Sequence, residues 1–194
     1  MLVFLSSVPL GFYCTKNTLD FASSGKIIIN GERIDSLGKN QLACVRNSTI
    51  GFLFHFHYLL SEFIALENIL IPYQMCHGAT TKESFERAEV HLDMVGIAAL
   101  KNNKANKMAV GKLQRAAIAR ALINNPPIIL ADEPTGNLDS ESSEGVYELF
   151  RDINKKFGST FIIVTYDDKI AEKTDRIIEI RDGRIKMDLK NMHI

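Results

Sequence analysis

Four apolar residues, Ile128-Ile129-Leu130-Ala131, run directly into two carboxylates, Asp132 and Glu133. A short apolar run of this kind is the pattern of a strand buried on both faces. Ligands of open α/β sheets bind along the carboxyl edge of such strands. There Asp132 could hold Mg²⁺ through water, because Mg²⁺ takes one or two carboxylates plus substrate phosphates. Glu133 could orient or deprotonate an attacking water. An Asp-Glu pair alone would as readily begin a solvated turn. The full string from Ile128 through Pro134-Thr135-Gly136-Asn137-Leu138-Asp139 to Ser140 carries more information than the pair.

Other residues have chemical potential of a weaker kind. His55 and His57, two apart, would share one face of a strand and begin a metal site, but no third ligand follows at zinc-like spacing. Arg115 and Arg120 could meet phosphate, although salt bridges along their helix are the commoner case. Phe52, Phe54 and Phe56 alternate as the inward face of a strand would, and read as core. Cys14, Cys44 and Cys76 are unclustered, the pattern of reduced thiols and not of a disulfide framework.

The elements that must position these residues follow from periodicity and turn chemistry. Asn30-Gly31 joins Lys26–Ile29 to Glu32–Ile34, and Asp182-Gly183 joins Arg176–Arg181 to Arg184–Met187, both as hairpins. Phe85, Ala88, Leu92 and Val95 recur at helical spacing, with Gly96 as a stop. Leu113 to Ile123 reads as a helix that Asn124-Asn125-Pro126-Pro127 ends. Val146, Leu149, Phe150, Ile153 and Phe157 mark another, before the strand-like Thr160–Val164. From Pro127 onward strand and helix alternate, which predicts a parallel sheet with crossover helices. The largely helical stretch from about 57 to 125 reads as an insertion into it.

Composition bounds the class. The 194 residues carry 23 Lys+Arg against 23 Asp+Glu, which argues against a polybasic nucleic-acid binder. Apolar residues make up 46%, enough for a sizeable core in a single domain. There is no run long enough for a membrane-spanning helix. Met1–Leu5 is apolar but lacks a basic flank, so it reads as an irregular or buried first segment and not as an export signal.

The string 128–140 resembles the Walker B segment and D-loop of ABC-transporter ATPase subunits, in the form found in the lipoprotein-releasing and macrolide-export branch. Gln114-Arg115-Ala116-Ala117-Ile118-Ala119-Arg120-Ala121-Leu122 resembles the helix behind that family's signature motif. Gly51-Phe52-Leu53-Phe54 with Phe56-His57 resembles the surroundings of its Q-loop, and Ala65-Leu66-Glu67-Asn68-Ile69 the segment after it. The resemblance spans about 25 to 189. It implies a P-loop NTPase-like (RecA-like) α/β core, with residues 1–24 unassigned, a helical subdomain at about 57–125 and a core sheet at 126–189. It further implies ATP and Mg²⁺ as ligands, a dimer or a related ATPase partner, and a membrane permease docked near 56–71. The chain would act as a peripheral subunit at the cytoplasmic face of the inner membrane. In this reading Asp132 organises Mg²⁺, Glu133 polarises water and Asp139 communicates across the dimer.

Several positions depart from the family pattern. Residues 1–25 contain no Gly-x-x-Gly-x-Gly-Lys-Ser/Thr string to cradle phosphates, and Thr15-Lys16-Asn17-Thr18 lacks the glycines. The family's first strands therefore read as missing, which would leave the sheet around Ile128–Ala131 short of neighbours. His55 stands at the Q-loop glutamine position. Ala109, Val110 and Gly111 occupy the signature, where Ala109 lacks a hydroxyl and Val110 adds bulk. Tyr166 stands at the switch-histidine position. A lost contact to the transferring phosphoryl group costs about 3–4 kcal/mol, so little independent ATP turnover is expected. Two further readings belong to other classes: an inactive pseudo-ATPase that docks as a binding module, and a truncated or frameshifted fragment.

Overall fold

A computed structural model describes residues 1–6, 25–55, 57–165 and 167–191. The main sheet contains β1 (Leu2–Ser6), β4 (Ile50–Leu53), β5 (Ile128–Asp132), β6 (Thr160–Val164), β7 (Arg176–Arg181) and β8 (Arg184–Lys190). Its order is β4-β5-β6-β1-β7-β8. The first five of these strands in space run parallel, and β8 returns antiparallel to β7. A separate two-stranded ribbon pairs β2 (Ile28–Ile29) with β3 (Glu32–Arg33).

Both hairpins form where the sequence places them. Asn30 and Gly31 have φ of 52° and 82°, and Asp182 and Gly183 have 52° and 71°. These are the left-handed angles a type I′ turn requires. The second hairpin runs on to Lys190, beyond the expected Met187.

Between β4 and β5 the chain passes through α2 (Ala65–His77), α3 (Lys82–Met94), two 3₁₀ turns and α4 (Val110–Leu122). Asn124-Asn125-Pro126 stops α4, with Asn125 at φ 49° and its N–H bonded to Leu122 O at 2.8 Å. One helix, α1 (Lys39–Thr49), was not evident in the sequence. Only Leu42 on it is buried, so it has no apolar stripe to announce it.

The α5 helix (Ser140–Phe157) covers one face of the sheet with Val146, Tyr147, Leu149, Phe150 and Ile153. Asp139 caps its start, and Gly158 at φ 73° ends it. Phe150 packs on Phe161 of β6 with ring centroids 4.6 Å apart. On the other side of β5, Gly51 of β4 lets the backbone of α4 approach closely. A Cβ there would lie 2.4 Å from Ala121 O, so no larger residue fits.

The expected gap in the sheet is absent. β1 lies between β6 and β7, with Leu2 opposite Phe161 and Val3 opposite Arg176. Asp175 fastens its start: Leu2 N–H donates to Asp175 Oδ2 at 2.7 Å, and Arg151 Nη1 donates to Oδ1 at 2.6 Å. β5 accordingly has neighbours on both sides. Leu2 and Val3 are buried, so the first segment is the buried piece that is one of its two readings, here as a central strand, and not an irregular or a missing one. Five residues were too few for periodicity to reveal this, because its pairing partners lie more than 150 positions away.

Candidate functional site

The parallel strands β4, β5 and β6 all point their carboxyl ends to one edge. Asp132 ends β5 and Glu133 follows it. Glu133 has φ 43°, a left-handed conformation that is strained for a residue with a side chain. Two backbone bonds hold it there. Its N–H donates to Val164 O at 2.8 Å, and its carbonyl accepts from Gly136 N–H at 3.2 Å. Its carboxylate is aimed by β6: Thr165 donates its hydroxyl to Glu133 Oε2 at 2.9 Å. The same Thr165 oxygen accepts the N–H of Asp167 at 3.1 Å. The sequence reading did not single out Thr165, since a lone threonine after a strand carries no signal by itself.

His55 lies beside this loop, 78 positions from Glu133 in sequence and adjacent to it in space. Its Nδ1 approaches Glu133 O at 3.3 Å and its Nε2 approaches Asn137 Nδ2 at 3.3 Å. Asn137 Nδ2 also reaches the His55 carbonyl, at 3.4 Å. Gly136 is required beneath the ring, because a Cβ there would meet His55 Cε1 at 2.9 Å. Both imidazole nitrogens are therefore turned toward the 133–137 loop. His55 clasps that loop through them.

The two histidines do not make a metal pair. β4 ends at Leu53, and His57 has φ 60°, so the strand alternation that would set both rings on one face stops before them. His57 is buried, and burial pushes its pKa down; a hydrogen bond that His57 donates to Gln114 opposes this and the Arg120 charge adds to it. Among the described residues no group of three or more His, Cys, Asp or Glu is placed to hold a metal ion.

Arg120 and Arg115 bond backbone carbonyls, not the acidic partners expected of them. Arg120 donates to His57 O at 2.6 Å and to Tyr58 O at 2.7 Å. These are two successive left-handed residues, with φ of 60° and 46°. Burial pushes the Arg120 pKa down to about 10. Arg115 donates to Val95 O at 2.8 Å. Gln114, buried on α4, donates to Pro134 O at 2.6 Å and so ties this helix to the loop after Glu133.

The remaining expected residues fall as follows. Asp139 caps α5, accepting from Ser142 N–H at 2.8 Å and the Ser142 hydroxyl at 2.9 Å. Those bonds, the backbone one foremost, hold its carboxyl below the usual range. Ala109 precedes α4, and Val110 and Gly111 begin it. Val110 is 48% exposed, and a Cβ on Gly111 would meet open space. Tyr166, Phe56 and Thr15–Thr18 lie outside the described residues. Phe52 and Phe54 are not core: their rings stack at 5.7 Å along a half-buried groove of about 220 Å³ that Tyr58 and Pro72 also line. A larger open cleft of about 780 Å³ reaches from Glu133 and Thr165 past Gly136 to Tyr147 and Lys173.

An acidic pair at the carboxyl edge, one carboxylate aimed by a hydroxyl, beside an open polar cleft can hold a divalent cation and activate water. The family model described as "ABC transporter" matches residues 15–136. The lipoprotein-releasing system ATP-binding protein LolD 1 of Rhodopseudomonas palustris is 44% identical over 86% of this chain and 74% of its own length. LolD of Bacteroides fragilis is 46% identical over 87% of this chain and 77% of its own. A dimeric post-hydrolysis structure of the ATP-binding cassette MJ0796, bound to ADP and Pi, superposes with a TM-score of 0.84. It is 34% identical and covers 98% of this chain and 84% of that one. The expected α/β class, with its mostly parallel sheet, is the architecture of that cassette.

Proposed function

This chain belongs to the ABC transporter family as an ATP-binding subunit, and on that premise we propose that it couples ATP binding and hydrolysis to lipoprotein release. The observation that carries the chemistry is the Glu133 carboxylate, held at the carboxyl edge of β5 by the Thr165 hydroxyl. In that position Glu133 polarises the attacking water. The oxygen donors there fit Mg²⁺, which Asp132 would hold and which would neutralise charge on the phosphates. Tyr166 would take the switch position, as a hydrogen-bond donor that carries no positive charge near neutral pH.

The chain would work as a dimer, or beside a related ATPase subunit. Ala109, Val110 and Gly111 open α4, whose first backbone N–H groups suit an anion supplied across the dimer. Asp139 lies next to the site on the cap of α5 and would contact the partner through that turn. The aromatic groove of Phe52, Phe54 and Tyr58 would receive the membrane permease, with residues 57–125 as the helical subdomain and 126–189 as the core. That arrangement sets the chain at the cytoplasmic face of the inner membrane. Among the described residues no helix is long and apolar enough to cross a membrane.

Residues 1–25 contain no phosphate-loop string, so the chain alone is expected to turn over ATP slowly. The test is therefore made on the chain assembled with a lipoprotein-releasing permease. Mg²⁺-dependent phosphate release is expected, falling by about 100-fold or more in Glu133→Gln. Failure of the assembled complex to bind Mg-ATP in calorimetry would overturn the reading.

A further inference from the structure

Cys44 on α1 and Cys76 on α2 are 32 positions apart, yet both thiols are exposed and both line one groove of about 260 Å³. The helices are fastened beside them, where Asn47 Nδ2 donates to Pro72 O at 3.0 Å. Asn124 backs that contact through its own amide, 3.1 Å from Asn47 O. Cys44 lies three residues before Asn47 and Cys76 four residues after Pro72. Those offsets return to the same helix face, so the fastened pair sets the two cysteines on faces that meet across the groove. Met75, 79% exposed, brings a thioether to the same groove, and Arg46 brings a cation.

We propose that Cys44 and Cys76 form a paired-thiol site for a soft, low-coordinate monovalent cation of the Cu(I) class, with Met75 as an auxiliary donor. Thiolate and thioether sulfur select such ions over oxygen-seeking ones. Two thiols are too few for the four-coordinate sites zinc prefers. Each thiol releases its proton on binding, so one cation replaces two protons and leaves a net charge of −1 on the bis-thiolate complex. The Arg46 guanidinium in the same groove offsets that charge. No oxidant is needed, because neither sulfur nor metal changes oxidation state.

Phe52 is a wall of this groove and also of the aromatic groove assigned above to the permease. An ion that fastens α1 to α2 would therefore stiffen one side of the docking surface, a consequence that rests on the proposed function. The site itself does not rest on it.

The experiment is anaerobic competition for Cu(I) between the full chain and bicinchoninate, without nucleotide or permease. Cys14→Ser is used as the background, so that only the two grooved thiols are present. One ion per monomeric chain is expected, with affinity at least about tenfold weaker in Cys44→Ser and equally in Cys76→Ser. Met75→Leu should give a smaller loss. Both cysteines are exposed, so the serine variants should keep their circular dichroism spectrum and melting temperature. Equal affinity in the single-thiol variants, or binding only through ion-bridged dimers in sedimentation, would overturn the site. Neither result bears on ATP turnover.

Discussion

Thr165 donates its hydroxyl to the Glu133 carboxylate at 2.9 Å, linking the ends of two adjacent parallel strands. β5 supplies the acid and β6 supplies the group that aims it, so the acid's orientation depends on strand register. Asp132 lies opposite Val164 in that register, which places the next residues, Glu133 and Thr165, side by side.

Removing the hydroxyl should therefore disturb orientation more than binding. In the assembled transporter, Thr165→Val is expected to lower kcat by about tenfold, equivalent to about 1.4 kcal/mol, with KM for ATP little changed. Thr165→Ser retains the donor and should recover most of the rate. Equal loss in the serine and valine variants would show that packing, and not the hydrogen bond, positions Glu133.

Gly136 and His55 make a second testable pair. Gly136→Ala places a methyl 2.9 Å from His55 Cε1 and 3.1 Å from its Nδ1, so the ring must move. Overpacking of this kind costs about 1–3 kcal/mol. His55→Ala opens the space, and the double variant should be more stable than the sum of the two single losses predicts. Urea unfolding of the four proteins measures the coupling. Strict additivity would show that the ring yields freely.

Arg120 holds two consecutive left-handed residues through their carbonyls, at 2.6 and 2.7 Å. Arg120→Lys cannot span both oxygens with a planar fork. It is expected to destabilise the chain by about 1.5–3 kcal/mol, the usual worth of a hydrogen bond to a charged group. The segment at His57 and Tyr58 should lose amide-exchange protection first. Unchanged protection there would mean that local packing alone maintains the turn.

His91 gives the chain an acid-sensitive core. It is 1% exposed, and burial, then the Arg87 and Lys156 charges, push its pKa down to about 4; the Leu122 backbone opposes this. In the unfolded chain it titrates near its ordinary 6.5. The fold therefore keeps it neutral, and the unfolded state gains the proton first as pH falls. Its contribution to stability is complete above about pH 6.5 and declines toward pH 4, by about 3 kcal/mol in all. Neither ring nitrogen has a hydrogen-bond partner of normal geometry. His91→Leu should thus remove this slope at little cost at pH 7.5, as read from urea midpoints across pH. A slope that persists in the variant would assign the effect to other groups.

The sequence by itself determined the elements whose causes are local. Asn30-Gly31 and Asp182-Gly183 fixed two turns, because those pairs accept left-handed φ with little strain. The apolar run at Ile128–Ala131 fixed a buried strand, and the order of residues put two carboxylates directly after it. The resemblance of 128–140 to a Walker B segment and D-loop required no coordinates. The tertiary structure decided whatever depends on groups brought together from distant positions. Leu2 and Asp175 meet across 173 positions, and such distant contacts, with the ladders to β6 and β7, make the first segment a central strand. His55 reads in sequence as half of a metal pair or as a substituted Q-loop. Its contacts with Glu133, Gly136 and Asn137 are not visible there, because two strand ends and a loop must be in register before its ring has anything to touch. Cys44 and Cys76 likewise appear unrelated until the Asn47–Pro72 hydrogen bond sets one helix against the other. Turn propensity and hydrophobic period are properties of neighbouring residues; register between strands and the facing of helices arise only when the chain closes on itself.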